Sequence, residues 1–366
     1  MLIKANRRVI IEPICSNGQH VKFNAAYLKK ILNENCNIDF YSSYSHFEKI
    51  KPYLYGNQIE KIKHYPIEDL PDNKFINSLC FFYKLIKRNT HNNIDDFTLL
   101  SGDVFHLSAI TLMSYLFYKN KFKIILHSVL EKNAFDKSLK SKILFFRRLN
   151  FWLRMFSFKK NNFLILLSNS IRKNFFNIYN FKGNVIIHQH PYIYTNDYKK
   201  KELSSSKRKI ALVGIGDNSK GIDWLASQLN DLGDRFPNYT FYLMGRNISK
   251  FNSERLLEPC NTFVEDNIFN DLLNSMDFFI YPFDENSYKL RASGTIFDAI
   301  SLRKPIITTE NDFVIDILNS NKVKYISLYR NKTGISDLLF KLDKLSSSDY
   351  FEMQDSLNDL VKKVNV

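Results

Sequence analysis

The sequence predicts an α/β protein of two domains, each built on a mostly parallel sheet, and three observations carry that prediction. Short apolar runs alternate with stretches of helical apolar period along most of the chain. The alternation breaks once, over the Lys- and Ser-rich stretch Tyr192–Lys209, and then restarts. At 366 residues there is room for two cores of ordinary size. We place the domains at 1–198 and 199–366.

The first half opens on an apolar strand, Val9–Ile14, followed by the loop Cys15–His20, which contains Gly18. A helix with Val21, Ala25, Leu28, Ile31 and Leu32 on one face comes next. Further strands are expected near Ile38–Ser42, Phe97–Ser101, Phe122–Leu126 and Phe163–Leu167, with a helix over Val104–Tyr118. Such alternation makes a sheet covered on both faces, and ligands bind beyond the carboxyl ends of its strands. Asp103, His127 and Glu131 follow strand ends and are therefore candidate catalytic groups. A His with a carboxylate one helical turn away can act as a general base, whereas a strand-end His bonded to backbone is the plain alternative. In the last strand, Asn184–Pro191, His188 and His190 share a face; with no third ligand in view they read as structural rather than metal-binding.

The second half starts with the strand Lys209–Gly214, a loop containing Gly216 and Gly221, and a helix with Ile222, Leu225, Leu229 and Leu232 on one side. Glycines 214, 216 and 221 do not fit Gly-x-Gly-x-x-Gly, and the next strand, Phe241–Gly245, leads into Arg246 instead of an acid, which disfavours a nicotinamide dehydrogenase. After Thr262–Glu265 and a helix through Ile268, Leu272 and Leu273 comes the most informative stretch, Asp277–Glu310. Its buried strand ends at Pro282, and its loop ends in Ser293-Gly294-Thr295 just before a helical pattern. Backbone N–H groups at such a helix start favour a phosphate, to which Arg291 could add a charge-assisted contact. Asp298, one turn into the helix, is an acceptor suited to a ribose; an ordinary cap and a solvated first-turn acid are the alternative. Ser346–Val366 reads as a terminal helix.

A formal net charge of +15 points to an anionic partner. From Lys137 to Asn196 there is no acid, and basic residues up to Lys160 are interleaved with Phe145, Phe146, Phe151, Trp152, Phe156 and Phe158. That pattern suits an anionic membrane surface, with a core helix as its rival, and no nucleic-acid-binding motif accompanies the charge. The four cysteines are widely spaced and read as reduced thiols without a metal. Neither a signal peptide nor a run long enough to span a bilayer is visible, so a cytoplasmic protein peripheral to the inner face of the membrane is expected.

Asp298-Ala-Ile-Ser-Leu-Arg-Lys-Pro-Ile-Ile307 resembles the donor motif Glu-Ala-x-x-x-Gly-Lys-Pro-Val-Ile of the GT-B glycosyltransferases. The resemblance implies two Rossmann-like domains facing across a cleft, the second binding a nucleotide-diphosphate sugar and the terminal helix returning to the first. It puts Asp298 on the ribose and Lys220 on the pyrophosphate. Gly214 and Arg246 join Arg291, Ser293, Gly294 and Thr295 around the donor. It also implies that Gly18 and His20 face the acceptor side and that His127 reaches the donor sugar. Arg303 replaces the usual Gly, and Leu290 stands where the first of two paired acids would fall, so no stereochemical outcome is implied. The expected activity is transfer of a sugar to a hydroxyl of a glycan or lipid-linked glycan, as in bacterial O-antigen or capsule synthesis. The nucleotide sugar is a co-substrate, and electrostatic stabilisation of the leaving diphosphate requires no metal. A sugar-nucleotide epimerase of the same fold is the nearer alternative, and a nucleic-acid-binding protein the distant one.

Overall fold

The computed structural model describes residues 7–16, 20–67, 75–135, 148–195, 198–204, 206–249, 253–260 and 265–364. The chain forms two compact units, Met1–Ile193 with Leu290–Ala292, and Tyr194–Lys289 with Ser293–Val366.

Among the described residues the first unit holds a seven-stranded parallel sheet in the order β3-β2-β1-β4-β5-β6-β7. The strands are β1 Arg7–Ile11, β2 Asn37–Ser42, β3 Ile62–Pro66, β4 Asp96–Leu99, β5 Lys121–Ile125, β6 Asn162–Leu166 and β7 Asn184–Ile187. β1 ends three residues earlier than the apolar runs suggest, β4 two and β7 four, while β2 ends where expected. In β1 the run reaches Ile14, but the strand ends at Ile11: the Glu12 N–H still donates to the Tyr41 carbonyl of β2 at 2.8 Å, and Pro13 after it has no N–H to donate. The edge strand β3 and the helix Phe75–His91 were not anticipated, because Ile62-Lys-His-Tyr-Pro66 carries the charge and the Pro typical of an edge. The helix Val21–Asn33 buries Phe23, Ala25, Leu28, Ile31 and Leu32 but leaves Val21 half-exposed.

The second unit holds a six-stranded parallel sheet, order β10-β9-β8-β11-β12-β13, among the described residues. Its strands are β8 Arg208–Val213, β9 Tyr239–Met244, β10 Leu256–Leu257, β11 Phe278–Tyr281, β12 Ile306–Thr308 and β13 Ile326–Ser327. Thr262–Val264, read as part of a run, lie outside the described residues. Ile210, Leu212, Leu225, Leu229, Phe241, Phe278 and Ile280 make the core. The terminal helix Ser347–Val364 packs onto it through Tyr350, whose hydroxyl donates to the Asp277 carbonyl at 3.0 Å. The Asp277 carboxylate, 1% exposed, accepts the Lys209 N–H at 2.8 Å and pairs with Lys201 at 2.7 Å. Lys304 of the Lys-Pro motif is also buried. Its amine donates to the carbonyls of Asn274 (2.6 Å) and Met276 (2.8 Å), closing the end of the helix Asp266–Ser275. Burial, and then the neighbouring Lys201, lower its pKa to about 7.

Gly221 lies between the one-turn helix Asn218–Lys220 and the helix Ile222–Leu232, at φ +75°, and a Cβ there would overlap the Pro282 carbonyl oxygen at the end of β11. Gly233, at φ +53°, faces open space. Gly233→Ala therefore meets only the backbone strain, about 1 kcal/mol, while Gly221→Ala must also displace a strand end and should cost about 3 kcal/mol. Urea midpoints of the two variants, compared at equal m, check that difference.

Candidate functional site

In the second unit the chain after β8 and the start of the helix Gly294–Ser301 converge. Gly214 follows β8 at φ +96°, and a Cβ on it would overlap the Lys220 amine and stand 2.9 Å from Thr295 Cγ2. Lys220 is 7% exposed; the Asp217 side chain accepts its N–H at 3.0 Å, and its Nζ donates to the Val213 carbonyl at 2.8 Å. Ser293, at the N-cap, does not cap the helix with its side chain, and its Oγ lies 3.2 Å from Thr295 Oγ1. An ammonium and a helix start thus meet at the carboxyl end of a parallel strand, where Gly294 opens to space. Asp298 is half-buried. Burial, followed by the charge of Asp298, holds the Tyr281 hydroxyl well above its ordinary pKa, and that hydroxyl donates to the Thr295 carbonyl at 2.6 Å. Arg246 is exposed on the loop after β9, where its carbonyl accepts the Gly216 N–H at 2.8 Å.

Arg291 is placed differently. Leu290–Ala292 pack with the first unit, where Arg291 Nε lies 2.8 Å from Glu131 Oε1 and the Leu290 N–H donates to Glu131 Oε2 at 3.0 Å. Two residues read separately, one as a phosphate ligand and one as a carboxylate for His127, are partners of each other.

The first unit gathers histidines at the carboxyl ends of its strands. The ring centroids of His20 and His127 are 4.7 Å apart, Phe23 stands 4.9 Å from both His127 and His190, and His188 packs on Tyr27 at 5.1 Å. His127 Nε2 is 2.9 Å from the Leu100 carbonyl, which can only accept, so Nε2 carries the proton and Nδ1 the lone pair. Burial, then neighbouring His20 and His190, hold the His127 pKa well below its ordinary value. The same causes lower His190, burial first and then His20, to about 3, while burial and then Lys30 lower His188 to about 4. His20 begins its helix at φ +55°, a left-handed backbone that a residue with a Cβ seldom adopts. Gly18 lies outside the described residues.

Asp103 does not join this cluster. It caps the helix Val104–Leu116, accepting the His106 N–H at 2.9 Å while the His106 ring takes the Asp103 N–H at 3.2 Å. This reciprocal pairing is a capping box with His in the place of Glu or Gln. The acid that organises the site is Glu12, fully buried and absent from the sequence-based candidates. Its Oε1 accepts Ile14 N–H (3.1 Å), Cys15 N–H (3.0 Å) and the Ser101 hydroxyl; its Oε2 accepts Asn24 Nδ2 (3.0 Å), which also contacts His46 Nε2 at 2.8 Å. An acid interrupting Val-Ile-Ile-x-Pro was the signal available. Among the described residues no group of three or more His, Cys, Asp or Glu is arranged to hold a metal.

One face of the described part of the basic aromatic segment is core, while Phe158 and Lys160 at its end are exposed. The helix Leu149–Ser157 buries Leu149, Trp152, Leu153 and Phe156 within the first unit. Trp152 and Phe156 are therefore not available to lipid, whereas Phe145, Phe146 and the basic residues from Lys137 to Arg147 lie outside the described residues. No described helix is long and apolar enough to cross a membrane.

Scans of known protein families and of curated proteins give no match. Solved structures do match over nearly the whole chain. Sucrose-phosphate synthase from Thermosynechococcus elongatus superposes with a TM-score of 0.66 at 10% identity, over 96% of this chain and 94% of that one. A glycosyltransferase from Rickettsia africae gives 0.66 at 14% identity, over 98% and 94%. Anabaena HepE, in complex with UDP and glucose, gives 0.65 at 10%, over 97% and 95%. The fold is that of the GT-B glycosyltransferases: two parallel-sheet, Rossmann-like domains.

The lowered histidines tie stability to pH. Below about pH 6.5 the unfolded chain takes up protons that His188 and His190 refuse until about pH 4 and 3, so folding weakens as pH falls through that window. The slope is at most about 1.4 kcal/mol per pH unit for each ring, less for their partial exposure. In a Trp224→Phe background, where Trp152 reports on the first unit, His188→Gln with His190→Gln should flatten the decline in urea midpoint between pH 7 and pH 4.5.

Proposed function

We propose that the protein is a glycosyltransferase that takes a nucleoside-diphosphate sugar as donor and a hydroxyl of a glycan, free or lipid-linked, as acceptor. The observation that carries this reading is the convergence of Gly214, the Lys220 amine and the Ser293–Thr295 helix start at the end of β8. That arrangement suits a diphosphate, with Asp298 one turn further for the ribose. Two structural neighbours support a nucleotide donor by what they contain: Anabaena HepE holds UDP and glucose, and an E. coli protein of the same fold holds UDP-2-fluoro glucose. In the first unit a neutral His127, with its Nδ1 lone pair free of the proton, is suited to deprotonate an acceptor hydroxyl. Synthesis of a bacterial surface polysaccharide is the setting this chemistry fits.

The test is binding followed by turnover. A nucleoside diphosphate at 100 times its dissociation constant should stabilise the protein by about 2.7 kcal/mol, read as a thermal shift. Lys220→Ala should weaken that ligand by about 2 kcal/mol while the fold persists. Asp298→Asn should weaken it too, but less for a 2′,3′-dideoxy analogue that lacks the diol. Equal losses for both ligands would remove Asp298 from the ribose, and unchanged affinity in Lys220→Ala would sink the diphosphate site. Conversion of the donor to an epimer with no acceptor present would select an epimerase instead.

A further inference from the structure

At the amino-terminal ends of β5, β6 and β7, opposite the histidines, three loops lie side by side. Asn161 Nδ2 donates to the carbonyls of Tyr118 (3.3 Å) and Lys119 (3.4 Å), and Asn184 Nδ2 donates to that of Lys160 (2.8 Å), so the loops form one edge. Along this edge Leu116, Tyr118 and Phe158 are 63%, 64% and 61% exposed. Lys119 and Lys160 are exposed beside them, and Lys159 holds its amine 4.0 Å from the centroid of the Tyr115 ring. Acids do little to offset these charges. Between Val104 and Thr195 the sequence has only Glu131 and Asp136, and Glu131 is at the other end of the strands. At the start of neighbouring β4, Asp96 is committed to Arg8 and Lys123, while Asp95 beside it is exposed.

We infer that this edge docks the protein on an anionic lipid bilayer. Apolar and aromatic tips ringed by lysines suit the interface, where side chains enter the headgroup boundary and ammonium groups meet phosphates. Leu116 favours lipid over nucleic acid, because it has no ring for a base to stack on and no donor for a phosphate. β5 runs from this edge toward His127, so a docked protein holds its histidines roughly 20 Å from the bilayer. Taken with the transferase reading, the acceptor hydroxyl then belongs to the outlying end of a membrane-anchored glycan; the docking itself does not rest on that reading.

Flotation of the full chain tests it. With vesicles of equal parts phosphatidylglycerol and phosphatidylcholine at low salt the protein should float, and with phosphatidylcholine alone it should not. Lys159→Gln with Lys160→Gln should lower partitioning about 30-fold, at about 1 kcal/mol per lysine. Leu116→Ser with Phe158→Ser should also lower it, and the urea midpoint of each variant should stay that of the wild type. The nucleoside-diphosphate thermal shift, measured on the same samples, reports on the donor site separately. Wild type that stays at the bottom with both vesicles overturns the inference, as do variants that float undiminished. Variants that lose RNA binding while keeping vesicle binding would assign the edge to nucleic acid.

Discussion

A parallel sheet covered on both faces favours apolar strand interiors and leaves most chemistry to its strand ends, and that constraint arranges this protein, with Asp39 in β2 and Thr98 in β4 as buried exceptions. Ile10, Phe40, Ile124 and Leu164 are sealed in the first unit, and Ile210, Leu243, Phe279 and Ile306 in the second. Chemistry is therefore sorted by strand direction. Glu12, Ser101, His127 and His190 collect at the carboxyl ends in one unit, and Gly214, Lys220 and the helix start at Ser293 in the other.

The two collections differ in how they carry charge. In the first, the buried Glu12 carboxylate is surrounded by four donors from the β1 loop, the next helix and the loop after β4. Removing Glu12 would release several chain segments at once, and a charge that well enclosed is stable only because each donor is in place. The histidines around it stay neutral because burial and their mutual proximity oppose protonation. In the second, the charge is a buried ammonium at a strand end, next to the positive pole of a helix. One collection thus favours neutral acceptors of a proton, and the other an anion.

Much of this was legible because short apolar runs bounded by Gly and Pro alternate with longer helical patterns: Ser293–Thr295 were placed at a helix start from pattern, and Lys220, on the loop after β8, was singled out by the family resemblance. The errors came from side chains whose partners lie far off in sequence. Nothing local says that Glu12 is met by Asn24 and Ser101, or that Glu131 is met by Arg291, 160 positions away. Asp103 was a different kind of error, since its cap partner His106 is local and the three-residue spacing was in view. Trp152 and Phe156 were read as lipid anchors in preference to core, and the error arises because an amphipathic helix of nine residues looks the same beside a sheet as at an interface.

The tripeptide Leu290–Ala292 gives the first unit a discontinuous sequence. A ribosome delivers Met1–Ile193 long before Leu290, so through the synthesis of nearly a hundred residues Glu131 lacks both the Leu290 N–H and the Arg291 guanidinium. The helix Val129–Phe135 that carries Glu131 acquires its full set of native bonds only when most of the second unit has emerged. For this chain, completion of the amino-terminal unit waits on three residues that translation adds nearly a hundred positions after the rest of that unit.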